Sequence, residues 1–348
     1  MTVALQLHLA AGVLTHYTAC ISPSITTNRP VPTALQILPR DYLITRDKLA
    51  FSVVDYGIEE QRVTCFLRYH RPDNSGWKKL TTSESHLLLK QNYSNYLFES
   101  KTRDTIIHGV HLDWIDEHRS AQGAIELLSD NVAMRSVRQR AAEAVDYFIS
   151  HDIRPEQLGI SGSLLIGAET EGSDIDLVCY DQSAFDRIRH CFASSDGPFQ
   201  PLSSEQWKQT YRRRGTTMAF DTFLRHEQRK HNKAIIGSHK IDISLVMPEP
   251  PHVTEIWEKR GPVQCTARVI DDCKAFHTPA RWGVDHPTIS EVISYSATFT
   301  GHARAGEWVA LEGLLEENEN GMRRVILGQS REAKDAIMHV HPSTERPL

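Results

Sequence analysis

The feature that most constrains this chain is the triplet Asp174-Ile175-Asp176. In a strand, residues two apart face the same way, so both carboxylates project together while Ile175 and Leu177 turn to a core. Two carboxylates held side by side repel, and one of them would normally take up a proton. A divalent cation removes that penalty, and hard oxygen ligands of this kind suit Mg²⁺ or Mn²⁺. Alone the triplet is weak. With 44 acidic residues in 348 and 40% hydrophobic residues, acid–apolar–acid is expected by chance about twice per chain.

Gly162-Ser163 sharpens the signal, with ten residues between it and Asp174. Glycine lets backbone amides approach a phosphate closely, and the Ser163 hydroxyl adds a further donor. Ser173, beside the first acid, joins Gly162 and Ser163 as a nucleotide-binding candidate. A third acid is needed on a neighbouring strand. Asp242 fits, because Ile241, Ile243 and Leu245 alternate against Asp242 and Ser244 as in a half-buried strand; Asp221 and Glu227 are its rivals. Asp174, Asp176 and Asp242 are thus the expected catalytic and metal-ligating residues.

Basic residues gather just upstream. On a helix, His226, Arg229, Lys230 and Lys233 would share a face through i+3 and i+4 spacing. Arg229, Lys230 and Lys233 are therefore expected to face the cleft and bind nucleotide or acceptor phosphates, against the alternative of a solvated face. Arg212, Arg213 and Arg214 are expected on an exposed loop.

Gly162-Ser163, the ten-residue spacer, Asp174-Ile175-Asp176 and the later strand residue Asp242 resemble the signature of the polymerase-β-like nucleotidyltransferase superfamily. The motif covers Gly159 to Met247. The layout from about Pro39 to Met338 also resembles a group of uncharacterised prokaryotic predicted nucleotidyltransferases. The resemblance implies a small mixed sheet flanked by helices, two catalytic metals and nucleotide transfer from an NTP. It does not fix the acceptor, since relatives modify RNA ends, DNA ends, antibiotics and proteins. A Gly turn between two buried strands, with acids at a solvated strand end, is the structural alternative; it leaves the three-acid arrangement unexplained.

The rest of the chain reads as an α+β protein in four parts. Residues 1–35 are a loose N-terminal extension. Residues 36–125 form a small α+β domain, with strands at Leu49–Asp55 and Arg62–Tyr69, a turn at Pro72–Gly76, and a Thr81/Glu84 capping box opening a helix through His86–Lys90. A helical linker is expected from Val110 to about His151, its Arg138 and Arg140 on solvated faces. Residues 126–255 carry the nucleotidyltransferase core, including a helix at Gln182–Ala193. Residues 256–340 form a small OB-like β-barrel, from Val263–Ile270, Thr288–Phe299, Trp308–Leu315 and Arg323–Leu327. Phe276, Trp282, Tyr295, Phe299 and Trp308 are read mainly as its core, with base stacking as the alternative.

The formal net charge of −5 argues against a protein that coats nucleic acid nonspecifically, though not against one basic face. Six scattered cysteines without a C-x-x-C pair suit reduced thiols in a cytoplasm. His302, His339 and His341 are expected to be surface histidines. Val3–Leu14 is too short and too interrupted for a membrane span. The expected function is transfer of a nucleoside monophosphate from an NTP to a hydroxyl acceptor, nucleic acid and RNA above all, gripped by the barrel and the basic helix. The alternatives are a protein or small-molecule nucleotidylyltransferase and a non-catalytic nucleotide- or nucleic-acid-binding regulatory module.

Overall fold

Alternating apolar residues in Leu49–Glu59 (β2) and Arg62–His70 (β3) pair these strands into a hairpin, turned by Glu60 and Gln61 at φ of 48° and 60°. The computed structural model describes residues 36–72, 76–128, 136–194, 197–248, 255–328 and 337–341. The extension expected over 1–35 and the tail from Pro342 lie outside the described residues. Tyr42–Thr45 (β1) lies on the other edge of β2, and Lys78–Lys79 (β4) pairs with β3. Helix α1 (Thr82–Asn92) opens with the expected capping box: the Glu84 amide donates to Thr81 Oγ1 at 3.2 Å, and the Thr81 amide donates to Glu84 Oε2 at 2.8 Å. Its Leu89 packs with Leu43, Phe51, Leu67 and Tyr96 in a core under the sheet.

The helical linker expected from Val110 is a correction. Leu97–Ser100 (β5), Thr105–His111 (β6) and Ile115–Arg119 (β7) are strands, giving the order β5-β6-β3-β2-β1-β7. Within that linker Val110 belongs to the end of β6 and Ile115 opens β7, and β-branched residues fit a pleated surface better than a helix. Among the described residues the α-helix of this stretch is Ser136–Ile149 (α2). Its Arg138 is no solvated side chain: Nε donates to Glu169 Oε1 at 2.7 Å, and Nη1 donates to the Leu127 carbonyl at 3.0 Å.

The central sheet is mixed. Leu158–Ile160 (β8) leads into the short helix α3 (Gly162–Ile166), then Ile175–Cys179 (β9) and α4 at Gln182–Ala193, as expected. Phe199–Gln200 (β10), α5 (Ser204–Arg214), α6 (Phe220–Gln228), Lys233–Ile236 (β11) and His239–Leu245 (β12) complete it. The order is β10-β11-β12-β9-β8, with β12 and β9 parallel and the other pairs antiparallel. Ile160, Ile175, Leu177, Ile241 and Ile243 bury one side of it with Val137, Ala141 and Phe148 of α2 and Phe185 and Ile188 of α4.

Trp257–Asp271 (β13), Ala280–Asp285 (β14), Glu291–Ser294 (β15), Trp308–Asn318 (β16), Arg323–Leu327 (β17) and Ile337–His341 (β18) form the third sheet. Strand β13 pairs with β14 and with β16, while β14 pairs β15, β15 pairs β17 in parallel, and β17 pairs β16. The circuit of pairings therefore returns to its start, and β18 adds to β16. Trp282 and Phe299 are buried inside, so they are core rather than a stacking platform. The expected strand Thr288–Phe299 shortens to β15, because Ser296 and Thr298 close a turn through the Ser294 and Ser296 hydroxyls. Trp207 of α5, Phe223 of α6 and Met218 between these two helices share this core, joining the central and third sheets.

One buried carboxylate joins the first and central sheets. Asp41, fully buried, accepts the Leu38 amide at 2.9 Å and the Ala121 amide at 2.8 Å, and its Oδ2 lies 2.8 Å from His118 Nε2 on β7. The Ala121 carbonyl in turn accepts the Ile160 amide of β8 at 3.0 Å. Asp41→Ala strands two buried amides, and a loss of about 2–5 kcal/mol is expected. Urea denaturation of the full chain measures it; a loss below about 1 kcal/mol contradicts this role.

Candidate active site

Parallel pairing of β9 and β12 puts Ile175 opposite Ile241 and Asp176 opposite Asp242. Strand alternation then sends the isoleucines into the core, while Asp176, Lys240 and Asp242 keep partial exposure on the other face. Asp174 sits just before β9. The three acids expected from the sequence are thus brought together, Asp242 through long-range pairing alone. Its rivals lie elsewhere. Asp221 is exposed on α6, and Glu227 is buried in ion pairs with Lys230 and, at 2.9 Å, Lys233.

Gly162 closes the floor beneath Asp176. Its φ is +65°, and a Cβ there would lie 2.2 Å from Asp176 Oδ2. Only glycine combines that left-handed backbone with the space the carboxylate needs. The Ser161 amide donates to the Asp176 carbonyl at 2.9 Å, and Ser161 Oγ donates to the Arg40 carbonyl at 2.6 Å. Ser163 is buried in the first turn of α3. Ser173 has a more local part: its Oγ accepts the Thr170 amide at 2.9 Å, fixing the turn before Asp174.

The cations at the site are mostly not those expected. Lys240 Nζ lies 3.1 Å from Asp174 Oδ2 and 3.0 Å from Asp242 Oδ2, while Arg213 Nη1 lies 3.2 Å from Asp174 Oδ2. Lys233 of β11 stands opposite Asp242 across the sheet. Burial raises the pKa of Asp176, and the neighbouring Asp242 charge adds to that rise. Burial works on Asp242 in the same sense, yet Lys240, Lys233 and Arg214 outweigh it and hold that carboxyl below its ordinary value. Lys240 is raised: burial opposes its charge, but Asp242 and Asp174 prevail. Arg40 is lowered by burial, against the pull of Asp176.

Two expectations about basic residues need correction. Arg212, Arg213 and Arg214 form the last turn of α5, not a loop; the Ser203/Gln206 capping box that starts this helix is readable in the sequence. The proposed shared helix face of Arg229, Lys230 and Lys233 does not exist. Helix α6 ends at Gln228, His231 turns left-handed at φ 49°, and Lys233-Ala-Ile-Ile is a buried strand. Arg229 pairs with Glu307, just before β16. Lys230 is buried, pairing with Glu227 and donating to the Thr298 carbonyl at 2.8 Å. Arg229 and Lys230 are therefore structural cations, and of the three only Lys233 borders the acids. His302 is also no surface residue: it is buried, its ring 3.9 Å from that of His226. Lys240 could have been read as a neighbour of Asp242, two residues away on one strand face. Arg40 had no such signal, reaching the site through tertiary contacts with a segment more than a hundred residues later.

Among the described residues no three His, Cys, Asp or Glu side chains converge tightly enough to hold a metal ion as they stand. At the acids, the Lys240 ammonium bridges Asp174 and Asp242 instead. Asp242 Oδ1 is nonetheless buried without a hydrogen-bond partner.

No family profile matches the chain, and no solved structure does. The chain is similar to an uncharacterised protein, MJ1086, of Methanocaldococcus jannaschii. The two are 26% identical over 332 residues, covering 86% of this chain and 97% of that protein. The similarity thus extends well beyond Gly159–Met247. None of the helices among the described residues is long and apolar enough to cross a membrane.

Gly162→Ala is expected to cost about 1–2 kcal/mol from the left-handed backbone alone and to push the Asp176 carboxylate from its seat. Thermal denaturation and a crystal structure of the variant check this. An unchanged stability with Asp176 in place contradicts the account of Gly162.

Proposed function

We propose that this protein is a metal-dependent nucleotidyltransferase that moves a nucleoside monophosphate from an NTP to a hydroxyl acceptor and releases pyrophosphate. The observation that carries the reading is Asp176 paired beside Asp242, with Asp174 adjacent, above a Gly162 that has no room for a side chain. The mixed sheet with α2 and α4 against it supports the superfamily resemblance, and the closed circuit of β13 to β17 supports an OB-like barrel beside it.

The donor set fits Mg²⁺ or Mn²⁺. Three carboxylates are hard oxygen ligands, and the orphaned Asp242 Oδ1 is a lone pair awaiting a partner. Asp174, Asp176 and Asp242 would hold the metal, which supplies charge neutralisation and an acidified acceptor hydroxyl. The Gly162 and Ser163 backbone would cradle the triphosphate, with Arg213 and Arg214 opposing its negative charge. In the transfer, the acceptor hydroxyl gives up its proton to solvent and its oxygen bonds to the α-phosphorus as the bond from that phosphorus to the oxygen of the β-phosphate breaks. Pyrophosphate leaves with that electron pair. Lys240, Lys233 and Arg214 hold the Asp242 carboxyl below its ordinary value against its burial, which makes it a weaker base and favours it as a ligand.

The charge balance around the third sheet bears on the acceptor. Arg229 and Lys230 are already paired, and residues 255–328 carry eleven acidic against eight basic side chains. That balance gives a polyanion no general grip on the third sheet. RNA therefore stands as one acceptor class among the hydroxyl compounds, beside proteins and small molecules.

Incubating the full chain with each α-labelled NTP and Mg²⁺, alone and with cellular RNA or a small-metabolite extract, tests the reading through label in a product. Asp174→Asn and Asp176→Asn are each expected to lower transfer at least about a hundredfold while the fold persists by circular dichroism. Near-wild-type transfer by either variant removes these acids from the chemistry.

A further inference from the structure

The cation nearest the acids is the protein's own. Lys240 precedes Asp242 by two residues on β12, so alternation brings its side chain to the face of the carboxylates. Its ammonium contacts Asp174 at 3.1 Å and Asp242 at 3.0 Å, and its side chain keeps only 11% exposure. No other lysine among the described residues has an ion pair with two of the three acids. Asp174 has a second partner in Arg213, whose side chain is 59% exposed and free to leave. Lys240 is held more tightly, between the strand that carries it and the acids it neutralises.

Resting on the metal-dependent reading above, we propose that the Lys240 ammonium is the resident counter-ion of the acidic site. It occupies the position a divalent cation takes, is released when that cation enters, and then binds the phosphates of the nucleotide. Three carboxylates gathered on one sheet face repel one another unless a cation stands among them. In the metal-free protein Lys240 fills that need. When a divalent cation arrives the ammonium becomes redundant and is repelled. Its flexible four-carbon stem lets it move, and its three donors suit phosphate oxygens. The consequence is a coupling of opposite signs: Lys240 opposes the metal and favours the nucleotide. A residue that only stabilised the strand would not divide its effect in that way.

The test measures Mn²⁺ binding by electron paramagnetic resonance on the full chain, wild type against Lys240→Met and Lys240→Arg. Lys240→Met, close in length but neutral, is expected to bind Mn²⁺ at least about tenfold more tightly, since a competing charge in contact with two ligands is gone. At saturating Mn²⁺ the same variant is expected to bind a non-hydrolysable NTP analogue at least about fivefold more weakly. Lys240→Arg keeps the charge and stays within about threefold of wild type for Mn²⁺. Equal or weaker Mn²⁺ binding by Lys240→Met overturns the inference and leaves the metal site standing. Absence of Mn²⁺ binding in every form overturns the metal-dependent reading and the inference with it. Should Lys240→Met fail to fold, acetylation of wild-type Lys240 decides by mass spectrometry. Labelling should rise with Mn²⁺ and fall again on adding the analogue; labelling that Mn²⁺ leaves unchanged or lowers overturns the proposal.

Discussion

Pairing between β9 and β12 governs much of what surrounds it. These strands lie far apart in sequence, and their parallel register sets Asp176 opposite Asp242 with Ile175 and Ile241 in the core beneath. A slip of one residue would turn the carboxylates into the core and the isoleucines out to solvent. The apolar cluster of Ile160, Ile175, Leu177, Ile241 and Ile243 under α2 and α4 therefore fixes the register and, through it, the spacing of the acids. Hydrophobic burial supplies the force, and like-charge repulsion at the surface is the cost it overcomes.

That repulsion explains the arrangement of cations. Lys240, Lys233 and Arg214 lower the pKa of Asp242 against its burial, while Asp176, with weaker compensation, is raised. Each of these cations comes from a different element: β12, β11 and the last turn of α5. Arg40 approaches from the first sheet, its backbone tied by the Ser161 hydroxyl. Beneath them, Glu227 feels burial first, yet Lys230, Lys233 and Arg214 keep its carboxyl well below the ordinary range. This second, buried charge cluster fastens α6 and the third sheet behind the acids through Thr298, which is why Lys230 is structural despite its place in a basic run.

Local patterns were readable in the sequence wherever one element determined the outcome. The Thr81 capping box, helix Gln182–Ala193 and strand Arg323–Leu327 needed only nearest-neighbour chemistry. Gly162 with Asp174 and Asp176 was likewise visible, because one turn and one strand hold all three. The failures arose where tertiary pairing overrode local spacing. Helical spacing of Arg229, Lys230 and Lys233 was real in the sequence, yet the buried Ala234-Ile235-Ile236 run drew Lys233 into a strand paired with β12. The three arginines of α5 looked like a loop because their charge masked the capping box ahead of them. Strand β7 and the end of β6 were hidden inside an expected linker, since their partners β1 and β3 lie some forty residues or more upstream.

The central claim is that three carboxylates on one sheet face form a divalent-cation site now bridged by Lys240. Anomalous diffraction from crystals soaked with Mn²⁺ and a non-hydrolysable NTP analogue addresses it most directly. The account predicts a manganese peak in contact with Asp174, Asp176 and Asp242, with the Lys240 ammonium moved from the carboxylates to the phosphates. Manganese bound elsewhere, or Lys240 still joined to Asp174 and Asp242 with nucleotide present, would contradict it.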